Sequence, residues 1–236
     1  MSSCLRFTDP DENPSPSGGR WEKRAVDLGD GSEVVYVPRL IPRDQAWEWF
    51  RYLNREIPWT RPSIRVFGRS CVQPRETCYI AEKGLAPMRY SGYQPNSYSW
   101  EEYPVVKDIL MTVCVAFPGS KFNTVLLNRY KNGSDYVAWH SDEDKLYGSA
   151  PEIASVSFGC EREFLLRKKP TKSQAAKGAR QSDRKQLEHK QQSFVLKHGS
   201  LLLMKGYTQR DWVHSVPKRL KADSIRINLT FRHIVA

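Results

Sequence analysis

SIRINLTFRHI, residues 224–234, alternates polar and apolar side chains: Arg226, Asn228, Thr230 and Arg232 against Ile227, Leu229 and Phe231. Successive side chains of an extended chain point to opposite faces, so the pattern predicts a strand with one polar and one apolar face. Other short strand candidates precede it: FNTVLLNRY (122–130), YVAWH (136–140), IASVSFG (153–159), REFLLRKK (162–169), SFVLKH (193–198), SLLLMKG (200–206) and WVHSV (212–216). Many short strands separated by Gly, Pro and Asn predict an antiparallel sandwich or barrel.

The amino-terminal half reads differently. EVVYVPRLI (33–41) is a strand candidate, and Asp44 is an N-cap candidate for QAWEWFRYLNREI, where Ala46, Trp47, Trp49, Phe50, Leu53 and Ile57 recur at roughly helical spacing. Pro58 ends that helix. PVVKDILMTVCVAF (104–117) is a second helix candidate, with Pro104 tolerated in its first turn. Helices first and strands after predict an α+β, mostly β chain: a jelly roll with helices packed on one sheet. Between the two helices, residues 60–100 are rich in Pro, Gly, Ser and aromatics, with a short strand at SIRVFG (63–68). This stretch reads as loops and short strands on a working surface. Residues 1–20 hold few apolar groups and read as a flexible tail, leaving residues 21–236 as a single domain.

The bulk numbers bound the partners. The chain has 236 residues, of which 39% are hydrophobic, 27% charged and 11% aromatic, an ordinary composition for a soluble domain. The net charge of +11 points to a polyanion, either nucleic acid or an anionic membrane surface. Much of it is local: from Arg167 to Lys190 nine Lys or Arg stand against Asp183 and Glu188, a net +7. Residues 170–192 therefore read as a flexible basic loop between strands, and the rest of the chain is only mildly basic. The five cysteines contain no C-x-x-C pair, which argues against a disulfide framework or Cys-rich zinc site and for a reducing compartment. No apolar run reaches membrane-span length, and the first residues lack the basic and apolar regions of a signal peptide.

The chemistry gathers on the strands. His140 and Asp142, at i and i+2 of an extended chain, point to one side, and His214 lies in another strand among Trp212, Val213 and Val216. Two histidines and one carboxylate leave open positions on a metal, the facial triad of non-haem iron(II) oxygenases. Alone, an H-x-D pair is equally a surface or core-edge feature. His198, at a strand junction before Gly199, reads as structural. The polar face of 226–232 is either a solvent face or an anion site, since two arginine forks match two carboxylates. Asn128 and Tyr130 share a face of their strand and can serve one ligand or form a buried polar pair.

N-R-Y, then H-x-D, then S-x-S-F-G, then a distal His, then R-x-N-x-T-x-R resembles the AlkB family of nucleic-acid demethylases, chiefly the eukaryotic, plant-type members that repair DNA. The resemblance runs from about Asp44, leaving out the tail and the basic loop. It implies a double-stranded β-helix (jelly roll) core with a nucleotide-recognition lid at about 60–100. It assigns iron(II) to His140, Asp142 and His214, and 2-oxoglutarate to Asn128, Tyr130, Arg226, Thr230 and Arg232, with Asn228 ordering the site. O2 is the other co-substrate. Tyr90 matches the aromatic that stacks on a flipped base, and Phe67 with Gly68, in VFG, the finger that fills the vacated duplex. Glu143 stands where relatives often have a substrate-facing Asp, which leaves Asp144 as the alternative contact. Arg75, in QPR, is a phosphate or base contact.

The implied activity is oxidative demethylation of N1-methyladenine and N3-methylcytosine in double- or single-stranded DNA, releasing formaldehyde, succinate and CO2. The implied setting is the nucleus, with the protein acting as a monomer and not on a membrane. Three other readings stay open: an RNA or single-strand demethylase, a catalytically silent nucleic-acid-binding module, and a dioxygenase acting on protein or lipid.

Overall fold

In the computed structural model, residues 21–66, 68–89, 92–142, 144–170 and 191–235 are described. Phe67, Tyr90, Glu143, the tail 1–20 and most of the basic segment (171–190) lie outside them. The strands are β1 (Arg24–Gly29), β2 (Ser32–Val37), β3 (Ser63–Val66), β4 (Arg69–Val72), β5 (Glu76–Ala81), β6 (Ser97–Tyr98), β7 (Thr124–Tyr130), β8 (Val137–His140), β9 (Ile153–Gly159), β10 (Arg162–Lys168), β11 (Gln191–Leu196), β12 (Ser200–Gly206), β13 (Trp212–Val216) and β14 (Arg226–Arg232). The helices are α1 (Arg43–Glu56), α2 (Pro104–Ala116), and two single turns, α3 (Asp144–Tyr147) and α4 (Thr208–Asp211).

Two sheets face each other. The larger runs β1-β2-β12-β9-β14-β7-β5-β6 and the smaller β11-β10-β13-β8, while β3 and β4 form a separate hairpin. All pairings are antiparallel except β5 with β6. This is the expected jelly roll, with α1 and α2 covering the outer face of the larger sheet.

The period-2 alternation explains the layering. Val35, Leu201, Leu203, Val156, Ile227, Leu229 and Phe231 pack outward against Ala46, Trp49 and Leu53 of α1 and Val106, Ile109 and Val113 of α2. The alternate residues Val34, Tyr36, Ile153, Leu202 and Met204 point inward and meet Phe164, Leu166, Phe194, Leu196 and Trp212 of the smaller sheet. A sheet apolar on both faces must be covered twice, and each large side chain so buried contributes roughly 1.5–3 kcal/mol. Around β14 the inward face turns polar, with Arg226 and Asn228 flanked by Ser155 and Ser157 of β9 and Asn128 of β7.

Two sequence expectations are corrected, and one strand carries no clear sequence signal. Asp44 is not the N-cap of α1: that position is Pro42, with no side-chain cap, and Asp44 sits in the first turn, where its charge meets the positive end of the helix dipole. The segment 60–100 is not wholly surface, because ETCYIA forms β5, buried along its whole length between β6 and β7. Its small and polar residues hid it, since partners from two neighbouring layers make it a core strand. RAVDLG was passed over and forms β1, an edge strand paired with β2. Among the described residues no helix is long and apolar enough to cross a membrane.

Gly159, at the end of β9, has φ +78, and a Cβ there would lie 2.3 Å from the Ile225 carbonyl oxygen and 2.7 Å from the Phe50 ring. Backbone strain of about 1–3 kcal/mol and overpacking of about 1–3 kcal/mol both apply to Gly159→Ala. Urea unfolding is expected to show a loss of about 2–5 kcal/mol, and a change below about 0.5 kcal/mol would contradict this packing.

Candidate active site

His140 ends β8 and His214 lies in the middle of β13. The two strands are neighbours, and their register sets His214 opposite His140. The ring centroids are 4.2 Å apart. The chain continues past β8 through Ser141 and brings Asp142 to the same place, so that ligand atoms of His140, Asp142 and His214 all lie within 4.8 Å of one another. The i, i+2 pair is thus brought together although Asp142 lies two residues beyond the strand end.

The Asp142 carboxylate is gripped from the other sheet. Arg232 of β14 donates through Nε to Oδ2 at 2.8 Å and through Nη2 to Oδ1 at 3.2 Å. Both side chains are 10% exposed. Burial alone would raise the Asp142 pKa, but the Arg232 guanidinium, with His214 and His140, outweighs it and holds the carboxyl at about 2. His214 goes the other way: burial first, then the positive charge that His140, Arg232 and Lys169 bring, hold it well below the usual range against the pull of Asp142. Loss of water also lowers His140, with Asp142 and the Ala138 carbonyl opposing. At neutral pH the cluster is one carboxylate and two uncharged imidazoles, the protonation states in which all three can donate to a metal.

The polar face of β14 points into the molecule rather than to solvent. Register places Asn228 between Asn128 of β7 and Ser157 of β9, and Arg226 beside Tyr130. Arg226 is 1% exposed. Its Nη2 donates to Ser157 Oγ at 3.0 Å, while Nε and Nη1 have no hydrogen-bond partner among the described residues. Its guanidinium lies 4.9 Å from the Tyr130 ring, with Arg162 5.5 Å from the same ring. A buried guanidinium with two unmet donors is costly unless a ligand supplies the acceptor. Asn228 is fully used in ordering: it donates to Ser155 Oγ at 2.8 Å and the Val156 carbonyl at 3.0 Å, and accepts from Thr230 Oγ1 at 2.9 Å.

One cavity of about 590 Å³ joins both features, with His140, Asp142 and His214 on one wall and Arg226, Asn128 and Tyr130 on another. Ile64 and Val72 of the β3–β4 hairpin and the following Gln73, Pro74 and Arg75 overhang it. Arg75 reaches inward, and its Nε donates to Asn128 Oδ1 at 2.6 Å. Gly68, exposed at the hairpin turn with φ +77, lies at its outer tip. His198 sits away from the cluster: its Nδ1 accepts the Gly159 N–H at 2.8 Å and its ring lies 4.1 Å from that of Trp47, as a structural histidine would.

The sequence reading brought together the residues of both walls but paired Arg232 with the co-substrate alone. Its contact with Asp142 spans 90 positions and left no local trace. Ser155 and Ser157, in the S-x-S-F-G run, lie on one face of β9 and serve Asn228 and Arg226, a role that the run alone does not reveal. Lys169 and Gln209 were missed altogether. Lys169 looked like part of the basic run and Gln209 like part of a polar turn.

The donor set fits iron(II), and the unmet Arg226 donors facing the same cavity fit a carboxylate co-substrate. A family model described as the 2OG-Fe(II) oxygenase superfamily matches residues 33–232. The chain is 54% identical over 241 residues to the DNA oxidative demethylase ALKBH2 of Arabidopsis thaliana, covering 100% of this chain and 75% of that protein. It is 36% identical over 205 residues to the alpha-ketoglutarate-dependent dioxygenase alkB homolog 3 of Bos taurus, covering 86% of this chain and 66% of that protein. The solved structure of OsALKBH1 superposes with a TM-score of 0.54 at 20% identity, over 85% of this chain and 97% of that one, a likeness of fold.

The histidine shifts set a pH dependence in the metal-free protein. The unfolded chain takes up protons near pH 6.5 that the folded chain refuses, so stability is full above that pH and falls as pH drops below it. Asp142 contributes only lower, its share being lost as pH falls from about 4 toward 2. Urea midpoints of the metal-free chain should decline from pH 7 to pH 5, with a shallower slope in His214→Gln. An equal slope in that variant would contradict the assignment.

Proposed function

This chain belongs to the AlkB family of the 2OG-Fe(II) oxygenase superfamily and is an iron(II)- and 2-oxoglutarate-dependent dioxygenase, and we propose that it removes methyl groups oxidatively from damaged DNA bases. The observation that carries the reading is the single cavity in which the His140–Asp142–His214 cluster faces the unmet donors of Arg226. The named activity of the Arabidopsis relative, at 54% identity, supports DNA as the substrate.

The residues divide the work. His140, Asp142 and His214 hold the iron. When bound, iron with 2-oxoglutarate and O2 supplies the oxidation that converts an N-methyl to a hydroxymethyl group while 2-oxoglutarate becomes succinate and CO2. The hydroxymethylated base then loses formaldehyde. Arg226, whose Nε and Nη1 lack partners among the described residues, would take a carboxylate of 2-oxoglutarate, with Tyr130 and Asn128 lining the same cavity. Arg232 keeps Asp142 ionised and oriented and stands beside the co-substrate's other end, and Asn228 and Thr230 hold the floor of the site. Leu126, Phe164 and Met204 line the cavity with apolar surface that excludes water.

The favoured lesions are N1-methyladenine and N3-methylcytosine. Their methyl groups lie on the pairing edge, so the base must leave the stack to reach the cavity. Arg75, Gly68 and the β3–β4 hairpin belong to the lid at about 60–100. Roles for Phe67 as duplex finger, Tyr90 as stacking partner and Glu143 as base contact rest on the family resemblance, since all three lie outside the described residues. The unit is one dioxygenase domain over 21–236, acting as a monomer in the nucleus, where its substrate is.

Two measurements test this. Formaldehyde release on matched single- and double-stranded oligonucleotides carrying one N1-methyladenine should be robust with the wild type and absent with His140→Ala. Release only from the RNA counterpart would overturn the DNA assignment. Separately, Arg226→Met should weaken 2-oxoglutarate binding by about 100-fold or more, because two charge-assisted hydrogen bonds, each about 1.5–3 kcal/mol, are lost. Anaerobic titration with iron(II) reads this directly, and unchanged affinity would remove Arg226 from the co-substrate site.

A further inference from the structure

The turn between the first two metal ligands is held by residues with no part in the reaction described above. Lys169, just past β10, donates from Nζ to Ser141 Oγ at 2.8 Å and to the Gln209 carbonyl at 2.8 Å. Gln209, in α4, accepts the Asp142 N–H on Oε1 at 3.0 Å. Lys169 is itself anchored to α4, its backbone N–H donating to the Asp211 carbonyl at 2.7 Å.

Gln209 is 1% exposed, and its amide nitrogen lies against Met204 Sδ at 3.5 Å and Thr208 Oγ1 at 3.3 Å. An amide in such a place costs free energy that a leucine or methionine of similar volume would not, unless its polar atoms find partners. The partner its oxygen finds is the peptide N–H of a metal ligand. The segment carrying Gln209 runs directly into β13, which carries His214. Asp142 is thus pinned at two ends: Arg232 of the larger sheet holds the carboxylate, and Gln209 of the β13 entry holds the backbone. Ser141, between the ligands, is tied to the same segment through Lys169. The end of β8 with its following Ser141 and Asp142 and the strand that delivers His214 are therefore one cross-tied body.

We propose that Gln209 and Lys169 are positioning residues of the metal centre, which fix the Ser141–Asp142 peptide so that the three ligands are arranged before the ion arrives. The inference rests on the reading that this cluster holds the metal. Partners outside the ligand set orient the ligands and typically govern metal affinity by about 10- to 100-fold. A turn freed of these bonds would have to be ordered at the moment of binding, which weakens it.

Co(II) is the probe, because its visible absorption reports both occupancy and coordination geometry. Metal-free full-length chain is titrated with Co(II) in parallel with Gln209→Leu, Lys169→Met, Gln209→Glu and His140→Ala, and thermal unfolding is recorded for each metal-free variant. Gln209→Leu should raise the Co(II) Kd by about 10- to 100-fold and alter the absorption envelope, and Lys169→Met should shift both in the same direction. Gln209→Glu keeps a side-chain oxygen to accept the Asp142 N–H and should return the Kd to within about threefold of wild type. An unchanged Kd in Gln209→Leu, with wild-type binding that His140→Ala abolishes, overturns the positioning role alone. So does a Gln209→Glu variant as impaired as Gln209→Leu with an equal fall in metal-free unfolding temperature, which marks a purely structural residue. Wild-type chain that binds no Co(II) overturns the metal reading and the inference together.

Discussion

The Arg232–Asp142 ion pair joins the two sheets at the point where the chemistry is placed. Arg232 is fixed in the larger sheet by its register with Thr124. Asp142 lies just beyond an edge strand of the smaller one. A carboxylate removed from water so near an apolar wall would be driven to take a proton. The guanidinium prevents this, and its two parallel hydrogen bonds set the angle of the carboxylate as well as its charge. Breaking such a buried pair from one side is far more damaging than the pair's net contribution to stability would suggest, because the remaining charge is left without compensation.

That contact depends on a sheet with two unlike faces. Outward-pointing residues of β14 pack under the helices, and only because they do can the inward face be given to polar groups. Ile227, Leu229 and Phe231 are completely buried. A slip of one residue in register would send the arginines into the helix layer and the apolar groups into the cavity, so the fold strongly specifies this strand. The neighbours on either side then provide hydrogen-bonding groups at matching heights, serines from β9 and an asparagine and tyrosine from β7.

The site carries its charges unevenly, and this suits a metal-dependent oxidation that consumes a dicarboxylate. Asn228 and Thr230 satisfy one another and stiffen the floor. Arg226, a few ångströms of strand away, has donors to spare. The two histidines are kept neutral by the same burial that makes the arginine seek an anion. Order in one part of the polar face and unmet demand in another are what distinguish a binding wall from a merely buried polar cluster.

Much of this could be read from the chain alone. Period-2 alternation in 226–232 marked that strand and its two faces, because one buried face constrains every second residue. The H-x-D pair, with His214 in a later strand, marked the candidate metal ligands, since extended backbone fixes where neighbours at i and i+2 point. Alternation could not say whether the polar face met water or a ligand. That was decided by the second sheet, which closes over β14 and turns its polar side inward. Nor could the sequence find β5, whose small and polar residues become core only between two other strands. It also missed the bonds of Gln209 and Lys169 to the ligand turn. These link residues far apart along the chain, and a lone glutamine in a polar turn carries no local mark of the peptide it will hold. Local pattern reports the backbone's own geometry, whereas partners across sheets exist only after the chain has folded.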